Sequence, residues 1–341
     1  MKQIAFLILF SLSGAGLMLA WFANHGGMAV RASAQGDIQK TFSVRPGGML
    51  MMDVDLGSIE VRTTGGSQIV VDVFRSVERA SDSGAEELLR QHEVDFEQQG
   101  NNLTIRSKNY RKEIFRRWNR SGLRVRYVVS VPNEFNVDLK TSGGGIRVDD
   151  LRGSVQVKTS GGGLQFGKIE GPITGHTSGG GISLAGCNGK VEVRTSGGGI
   201  DIGSGAGDLV AETSGGGIKI DDFVGNVFVR TSGGSIRANR IEGAIDASTS
   251  GGPIVAALRA QPRKDCRLHT SGGGITVDLE ESLSLNIVAD ASGGSVSTEL
   301  PLTVQGELRK DTLRGTLNGG GQALVLQASG GSIQLRKLRS Q

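Results

Sequence analysis

The tetrapeptide Thr-Ser-Gly-Gly recurs along this chain at a fixed interval. Seven regular copies, each 18 residues after the last, begin at Thr141, Thr159, Thr177, Thr195, Thr213, Thr231 and Thr249. Looser copies begin at Thr270, Ala291 and Ala328. Fixed-period self-similarity is typical of stacked repeat proteins, in which each unit buries its apolar face only against its neighbours. The interval therefore predicts a solenoid.

Within each repeat, apolar and polar residues alternate in two short stretches. Counted from the Thr, the sixth position holds Ile146, Leu164, Ile182, Ile200, Ile218, Ile236 and Ile254. The fifteenth holds Val155, Ile173, Val191, Leu209, Val227 and Ile245. A period of two is typical of a strand with one buried face. We predict two short strands per coil, paired in parallel between coils, with the Thr of each repeat pointing inward and hydrogen-bonding along its column.

Glycine occupies the predicted turns. The chain contains 55 Gly residues and only 4% aromatic residues, which indicates a repeat architecture rather than a thick conventional core. Glycine at fixed corners permits positive φ and close approach of successive backbones. Parallel crossovers are right-handed in about 98% of cases. The predicted fold is all-β, a right-handed parallel β-helix or β-roll solenoid with about 18 residues per coil.

The first 34 residues have the features of an export segment. Lys2 precedes an apolar run from Ile4 to Phe22, and Ala32-Ser33-Ala34 has the A-x-A form of a cleavage site. The run is also nearly long enough to span a bilayer. The segment is therefore either a cleaved signal peptide or an uncleaved membrane anchor, and both place the rest of the chain outside the cytoplasm.

The repeat pattern divides the chain into four predicted segments. Residues 1–34 are the export segment, and residues 35–140, which break the period, form an N-terminal cap with irregular first coils. Ser83-Gly84-Ala85-Glu86 has capping-box spacing, which predicts a short helix there. The regular solenoid covers residues 141–269. Residues 270–341, where the steps lengthen to 21 and 37, form C-terminal coils and a second cap.

Three stretches carry a resemblance to a known family. They are Asp55-Leu56-Gly57-Ser58-Ile59-Glu60-Val61, then Tyr127-Val128-Val129-Ser130-Val131-Pro132, then Asn136-Val137-Asp138-Leu139-Lys140-Thr141-Ser142-Gly143-Gly144. With the Ser-Gly-Gly-x-Ile units that follow, the chain resembles the bacterial putative-adhesin domain family over residues 36–338. The resemblance implies a right-handed β-helix or roll at the bacterial envelope, either in the periplasm or at the cell surface, with anchoring to the inner membrane if residues 1–34 are retained. It brings no catalytic residues.

One segment departs from the charge balance of the rest. Nine Lys or Arg residues between Arg106 and Arg126 stand against the single acid Glu113, a net +8, interleaved with aromatic residues. The whole chain carries +4, and removing Lys2 and Arg31 with the export segment leaves +2, so the remainder is about −6. Concentrated cations and rings suit anionic lipid, lipopolysaccharide or envelope polysaccharide. The candidate contact residues are Arg111, Lys112, Arg116, Arg117, Trp118, Arg120 and Arg124. The alternative is a solvated loop of the cap.

The remaining chemistry-bearing residues do not form the pattern of a catalytic, cofactor or metal site. Cys187 and Cys266 are more than four coils apart, roughly 20 Å at ~4.8 Å per coil, which is too far for a disulfide. His176 and His269 both precede a repeat Thr and lie about five coils apart, so they cannot share a metal ion. We therefore predict no cofactor and two free thiols.

These observations favour a non-enzymatic envelope scaffold or adhesin-like binding protein, with a protein partner along the solenoid face as a further prediction. Nucleic acid is not an expected partner of an exported chain. Two alternatives stay open. A carbohydrate-active β-helix enzyme would need a row of carboxylates or aromatic rings on one outward face, and a self-assembling envelope filament would need uncapped coil ends.

Overall fold

Parallel pairing between equivalent strands of successive repeats builds the molecule. In the computed structural model, which describes residues 34–77, 82–107, 122–304 and 309–338, Ile182 pairs with Leu164 on one side and Ile200 on the other. The same register continues through the regular repeats. The predicted fold class, a mostly β and solenoid-like chain, is confirmed.

The strands before the regular repeats are β1 (Ala34–Gln35), β2 (Ile38–Ser43), β3 (Met49–Val54), β4 (Ser58–Thr64), β5 (Gln68–Val77), β6 (Asp95–Gln99), β7 (Asn102–Ser107), β8 (Leu123–Pro132) and β9 (Asn136–Thr141), with helix α1 (Asp82–Gln91) between β5 and β6. The regular repeats contain β10 (Ile146–Val148), β11 (Leu151–Arg152), β12 (Val155–Thr159), β13 (Leu164–Glu170), β14 (Ile173–Thr177), β15 (Ile182–Asn188), β16 (Val191–Thr195), β17 (Ile200–Thr213), β18 (Ile218–Thr231), β19 (Ile236–Glu242), β20 (Ile245–Thr249) and β21 (Ile254–Leu258). The C-terminal strands are β22 (Cys266–Thr270), β23 (Ile275–Leu279), β24 (Leu285–Ala291), β25 (Val296–Thr298), β26 (Thr303–Val304), β27 (Thr312–Leu317), β28 (Gln322–Ala328) and β29 (Ile333–Lys337).

Each coil contributes to two strand ladders, and the apolar core lies between them. Face A contains the strands that follow the Gly-Gly turns, such as β10, β13 and β15, together with the first parts of β17 and β18. Face B contains the strands that run into the Thr, such as β12, β14 and β16. The two inner surfaces meet at Gly175 of face B, where a Cβ would lie 3.2 Å from Leu164 and 3.3 Å from Phe166 of face A.

The repeat Thr residues are buried at the corner between the two faces. Their hydroxyls hydrogen-bond to glycine carbonyl oxygens, since Thr159 Oγ1 donates to Gly144 O at 2.7 Å and Thr195 Oγ1 donates to Gly180 O at 2.7 Å. The predicted inward column is present, but its hydroxyls bond to the glycine of the preceding coil rather than to one another. Each Thr thereby satisfies a carbonyl of the tight turn below it.

The thirteenth position of the repeat requires glycine for two reasons. Gly171 has φ of +147°, a conformation that residues with a Cβ rarely adopt. A Cβ on Gly171 would also lie 2.3 Å from the carbonyl oxygen of Gly153 in the preceding coil. The turn therefore accepts no larger residue without moving the backbone.

Chain order and spatial order differ at both ends of the stack. Strand β3 pairs with both β7 and β9, so the first coil in the sequence lies between two later ones. Strand β28 pairs with both β22 and β24, and β29 pairs with both β23 and β25. The last coil in the sequence therefore also lies between two earlier ones. This insertion accounts for the longer sequence intervals between the repeats that begin at Thr270, Ala291 and Ala328.

Antiparallel strand pairing occurs at both ends of the stack. At the N-terminal end β5 pairs antiparallel with β8, β2 with β5, and β6 with β7. The rings of Phe42 and Phe96 stack across this end with centroids 6.0 Å apart, and Ala85 and Leu88 of α1 are buried against the core. At the C-terminal end β27 pairs antiparallel with β24 and β26.

The predicted export segment, residues 1–34, lies outside the described residues except for Ala34. In the part of the chain that the structure describes, no helix is both long enough and apolar enough to cross a membrane.

Candidate polyanion-contact surface

The basic segment leaves and rejoins the stack at its N-terminal end. Ser107, the last residue of β7, pairs with Val54, and Val54 pairs with Thr141 of the first regular repeat. The chain is described again from Gly122, which has φ of +72° and precedes β8. The described residues on either side, Ser107 and Gly122, therefore lie on the end coil, where Ser107 occupies the register position of the repeat Thr. Six of the predicted contact residues lie outside the described residues: Arg111, Lys112, Arg116, Arg117, Trp118 and Arg120.

The seventh predicted residue, Arg124, lies on β8 with Arg126. Strand alternation places both side chains on the solvent side, because the alternate residues Leu123, Val125 and Tyr127 are buried in the core. The guanidinium of Arg126 lies over the ring of Phe74 on β5, 4.8 Å from its centroid. Phe74 is 38% exposed, so a ring and two cations share one outward surface. Phe74 was not predicted as a contact residue from sequence, although the alternation of buried and exposed residues in β5 indicates that its side chain points outward.

A second group of basic residues lies on face B. Successive parallel pairings place Lys140, Lys158, His176 and Arg194 in one outward column, which we call the cationic ladder. Its members are one coil, about 4.8 Å, apart. Lys140 lies 3.8 Å from Asp138, and Arg194 lies 3.2 Å from Glu192 and 2.7 Å from Glu212. Sequence analysis placed His176 outward but missed the ladder, because its members are 18 positions apart and only the register aligns them.

A buried polar cluster anchors the start of the basic segment. Ser107 Oγ lies 3.1 Å from His92 Nε2, and Tyr127 OH lies 3.4 Å from the same nitrogen. Ser107 donates its hydroxyl hydrogen to the Glu93 carbonyl at 2.9 Å, so this hydroxyl is not oriented to give its proton to His92. Arg75 donates to the carbonyl oxygens of Leu89 and His92. The cluster ties α1 and β7 together.

Burial controls the charge of this cluster. Desolvation, assisted by the positive charge of Arg75, lowers the pKa of His92 to about 4. Desolvation also raises the pKa of Tyr127 to about 12. Both groups are therefore neutral at pH 7. A neutral imidazole can accept hydrogen bonds without an uncompensated buried charge, which suits a structural role.

The other chemistry-bearing residues remain apart in the described ranges. No group of three or more His, Cys, Asp or Glu residues is placed to hold a metal ion there. Cys187 is half-buried, Cys266 is buried, and both thiols are free. Burial raises the pKa of Cys187 to about 11, which makes its thiolate scarce.

The outward column of face B beside the cationic ladder carries no row of carboxylates. Its successive members are Gln156, Thr174, Glu192, Val210, Phe228 and Asp246. Glycoside cleavage requires two carboxyl groups flanking one bond. Adjacent coils in this column do not provide such a pair.

The fold and the repeated glycine corners define a β-solenoid repeat protein, and comparison with protein families gives its family. Residues 50–336 match the model of the Toastrack DUF4097 family, so the chain belongs to that family. The predicted membership in a putative-adhesin domain family is confirmed. The comparison with curated proteins finds no match.

Several solved structures are similar to this chain at low identity. A "putative adhesin" from Bacteroides fragilis is 11% identical, with 88% of this chain and 97% of that chain covered and a TM-score of 0.34. A "putative lipid binding protein" from Parabacteroides distasonis is 12% identical, with 88% and 96% covered and a TM-score of 0.27. A "putative adhesin" from Parabacteroides merdae is 11% identical, with 88% and 95% covered and a TM-score of 0.28.

Proposed function

We propose that this protein is a non-enzymatic scaffold of the bacterial envelope that binds an anionic surface, such as lipid phosphate or lipopolysaccharide, through the basic segment at its N-terminal end. The observation that carries the proposal is the place of this segment. Its described residues lie on β7 and β8 of the end coil, and Arg124 and Arg126 point outward from β8. Cations concentrated at one end of a rigid stack can attach that end to a surface.

The solenoid then serves as a rigid spacer and binding surface. We infer a right-handed coil of about 18 residues. Residues 35–140 form an N-terminal cap and the first irregular coils, residues 141–269 the regular stack, and residues 270–341 the C-terminal coils and cap. The export segment 1–34 delivers the chain to the periplasm or cell surface. The absence of paired carboxylates along the face B column beside the ladder weighs against the carbohydrate-active alternative. The antiparallel strands at the coil ends weigh against filament growth by coil addition.

Two charge-reversal variants that change the net charge by the same amount test this proposal. One variant carries Arg116→Glu, Arg117→Glu and Arg120→Glu in the basic segment. The matched control carries Arg259→Glu, Arg263→Glu and Lys264→Glu, three exposed cations near the other end. The measurement is co-sedimentation with vesicles of anionic phospholipid at low salt.

The basic-segment variant should lose at least about tenfold in vesicle binding, while the control should bind like the unmodified protein. Equal losses in both variants would mean that net charge alone drives binding. No binding by the unmodified protein, or undiminished binding by the first variant, would contradict the proposal.

A further inference from the structure

We infer that the cationic ladder of face B binds an acidic polysaccharide in which charged sugar units alternate with neutral ones. The polysaccharide lies along the stack axis, across successive coils. This site is separate from the basic segment, so the inference and the proposed function can be tested independently. The inference rests on how charges and hydrogen-bonding groups are distributed along the ladder.

The centre of the ladder carries a cation that no carboxylate contacts. Lys158 is exposed, and neither Lys158 nor His176 has an ion-pair partner among the described residues. The outward residues that precede them in their coils, Gln156 and Thr174, are uncharged. Lys158 is also the register partner of Lys140, and like charges on paired strands destabilise a sheet. A local arrangement that costs stability without a compensating contact is typical of a binding site.

The two ends of the ladder carry carboxylates beside their cations. Lys140 lies 3.8 Å from Asp138, and Arg194 lies 3.2 Å from Glu192 and 2.7 Å from Glu212. A polymer with a negative charge on every unit, or a flat layer of anionic headgroups, would approach these carboxylates as well as the cations, and like charges repel. A chain with neutral units on either side of a charged one avoids this repulsion, because sugar hydroxyls can donate hydrogen bonds to the carboxylates.

Exposed hydroxyl groups follow the same track. The residue after each buried repeat Thr is an exposed Ser, two positions beyond the ladder residue of its coil. The four beside the ladder are Ser142, Ser160, Ser178 and Ser196. The side chains of these serines make no hydrogen bond to another described residue. Each coil therefore offers a hydroxyl that can donate to and accept from a sugar beside its ladder residue.

An open depression lies between the ladder and the serines. It has a volume of about 300 Å³, and its lining includes His176, Arg194, Ser196, Glu212 and Ser214. An imidazole, a guanidinium, a carboxylate and two hydroxyls therefore surround one space, and this mixture of donors and acceptors suits a neutral sugar ring. Lys158 lies one coil, about 4.8 Å, from His176, where it can pair with the carboxylate of the adjoining sugar unit.

The test follows imidazole signals by NMR in the protein purified from cells that express the full chain. The probe is a hyaluronan hexasaccharide, in which glucuronate and N-acetylglucosamine alternate. The signals of His176 report on the site, and a His176→Gln variant assigns them. The signals of His269, five coils further along the same outward column, are the internal control.

Two further ligands and two variants complete the experiment. The methyl ester of the same hexasaccharide has no charge, and hexagalacturonate has a charge on every unit. The variant Lys158→Glu reverses the central cation. Arg267→Glu, at an exposed cation of face B distant from the ladder, is its matched control because it changes the net charge by the same amount.

The hyaluronan hexasaccharide should shift the His176 signals with a dissociation constant of about 1 mM or lower, while the His269 signals stay in place. The methyl ester and hexagalacturonate should bind more weakly. Lys158→Glu should raise the dissociation constant at least about fivefold, and Arg267→Glu should leave it within about twofold. Reversal of Arg116, Arg117 and Arg120 should leave this binding in place, and Lys158→Glu should leave vesicle binding unchanged.

Several results would overturn the inference. These are no shift of the His176 signals up to about 10 mM hexasaccharide, equal shifts at both histidines, equal or tighter binding of either comparison ligand, and an unchanged dissociation constant in Lys158→Glu. Loss of hexasaccharide binding on reversal of the basic segment, with no loss in Lys158→Glu, would assign the polysaccharide to the basic segment and would also overturn it.

Discussion

Arg336 and Asp278 form a two-point ion pair across the inserted last coil. Arg336 Nε donates to Asp278 Oδ1 at 2.7 Å, and its terminal nitrogen donates to Oδ2 at 3.0 Å. The two residues are register partners on β29 and β23, strands far apart in sequence. A bidentate guanidinium–carboxylate pair fixes orientation as well as distance, so it holds the last coil in register with an earlier one.

Removal of this ion pair should loosen the last coil with a small loss of global stability. Arg336→Ala should lower the free energy of unfolding by about 1 kcal/mol or less, because the pair is partly exposed. Hydrogen exchange of residues 333–337 should accelerate more than that of β20. A double-mutant cycle with Asp278→Ala measures the coupling, and a coupling energy of zero would show that the pair does not hold the register.

Alanine at the thirteenth position should be far more destabilising than alanine at an open turn. Gly171→Ala should lower the free energy of unfolding by at least about 2 kcal/mol, because φ is positive and the new methyl group would overlap the Gly153 carbonyl. Gly65→Ala, at a glycine with nothing within 4 Å of its Cβ position, should change stability by about 0.5 kcal/mol or less. Urea unfolding of both variants measures the difference. Equal effects would contradict the stacked corner.

The stability of the region around helix α1 and β7 should fall in mild acid. The pKa of His92 is about 4 in the folded protein and near 6.5 when unfolded, so only the unfolded state gains a proton between these values. The contribution of neutral His92 to the free energy of unfolding is complete above pH 6.5. It is lost as the pH falls toward 4, and the total loss is at most about 3 kcal/mol.

Substitution of His92 separates this effect from general acid unfolding. The variant His92→Gln should flatten the decline of unfolding free energy between pH 6.5 and 4, while His269→Gln on the exposed side of β22 should leave it unchanged. Denaturant unfolding at a series of pH values gives the two curves. The same slope in all three proteins would show that His92 does not titrate as described.

Thiol chemistry should distinguish the two cysteines. The unfolded, unreduced monomer should give two free thiols. In the native protein both should react slowly at pH 8, because burial raises the pKa of each thiol. The half-buried Cys187 should react before the buried Cys266, and Cys187→Ser should remove the faster phase. Fewer than two thiols after unfolding would contradict the separation of these residues along the stack.

The regular part of the fold was predictable from sequence because its signals are local and repeated. The apolar column from Ile146 to Ile254 and the glycine corners each recur at a fixed interval, and parallel pairing in register follows from them. The inward position of the Thr residues was also correct. The predicted hydrogen bonds between the Thr hydroxyls were wrong. Alternation gives the direction of a side chain, but it does not show whether a Thr hydroxyl donates to the next Thr or to a glycine carbonyl oxygen.

The ends of the stack could not be predicted in the same way. The insertion of β28 between β22 and β24 depends on long-range pairing energies that no local pattern encodes. The cationic ladder depends on register between coils, so it becomes visible only when Lys140 and Lys158 are placed in space. Arg124 is the one predicted contact residue whose place is described, on the outward side of β8.

Disulfide cross-linking tests most directly the central claim that the chain forms stacked parallel coils with the last coil inserted. In a protein carrying Cys187→Ser and Cys266→Ala, the pair Arg267→Cys and Val325→Cys should cross-link under mild oxidation. Paired residues of adjacent parallel strands lie about 4.8 Å apart, within the range of a disulfide. The pair Arg267→Cys and Val288→Cys, two strands apart at about 9.6 Å, should remain reduced. Cross-linking of the second pair and not the first would show that the coils stack in chain order and would contradict the account.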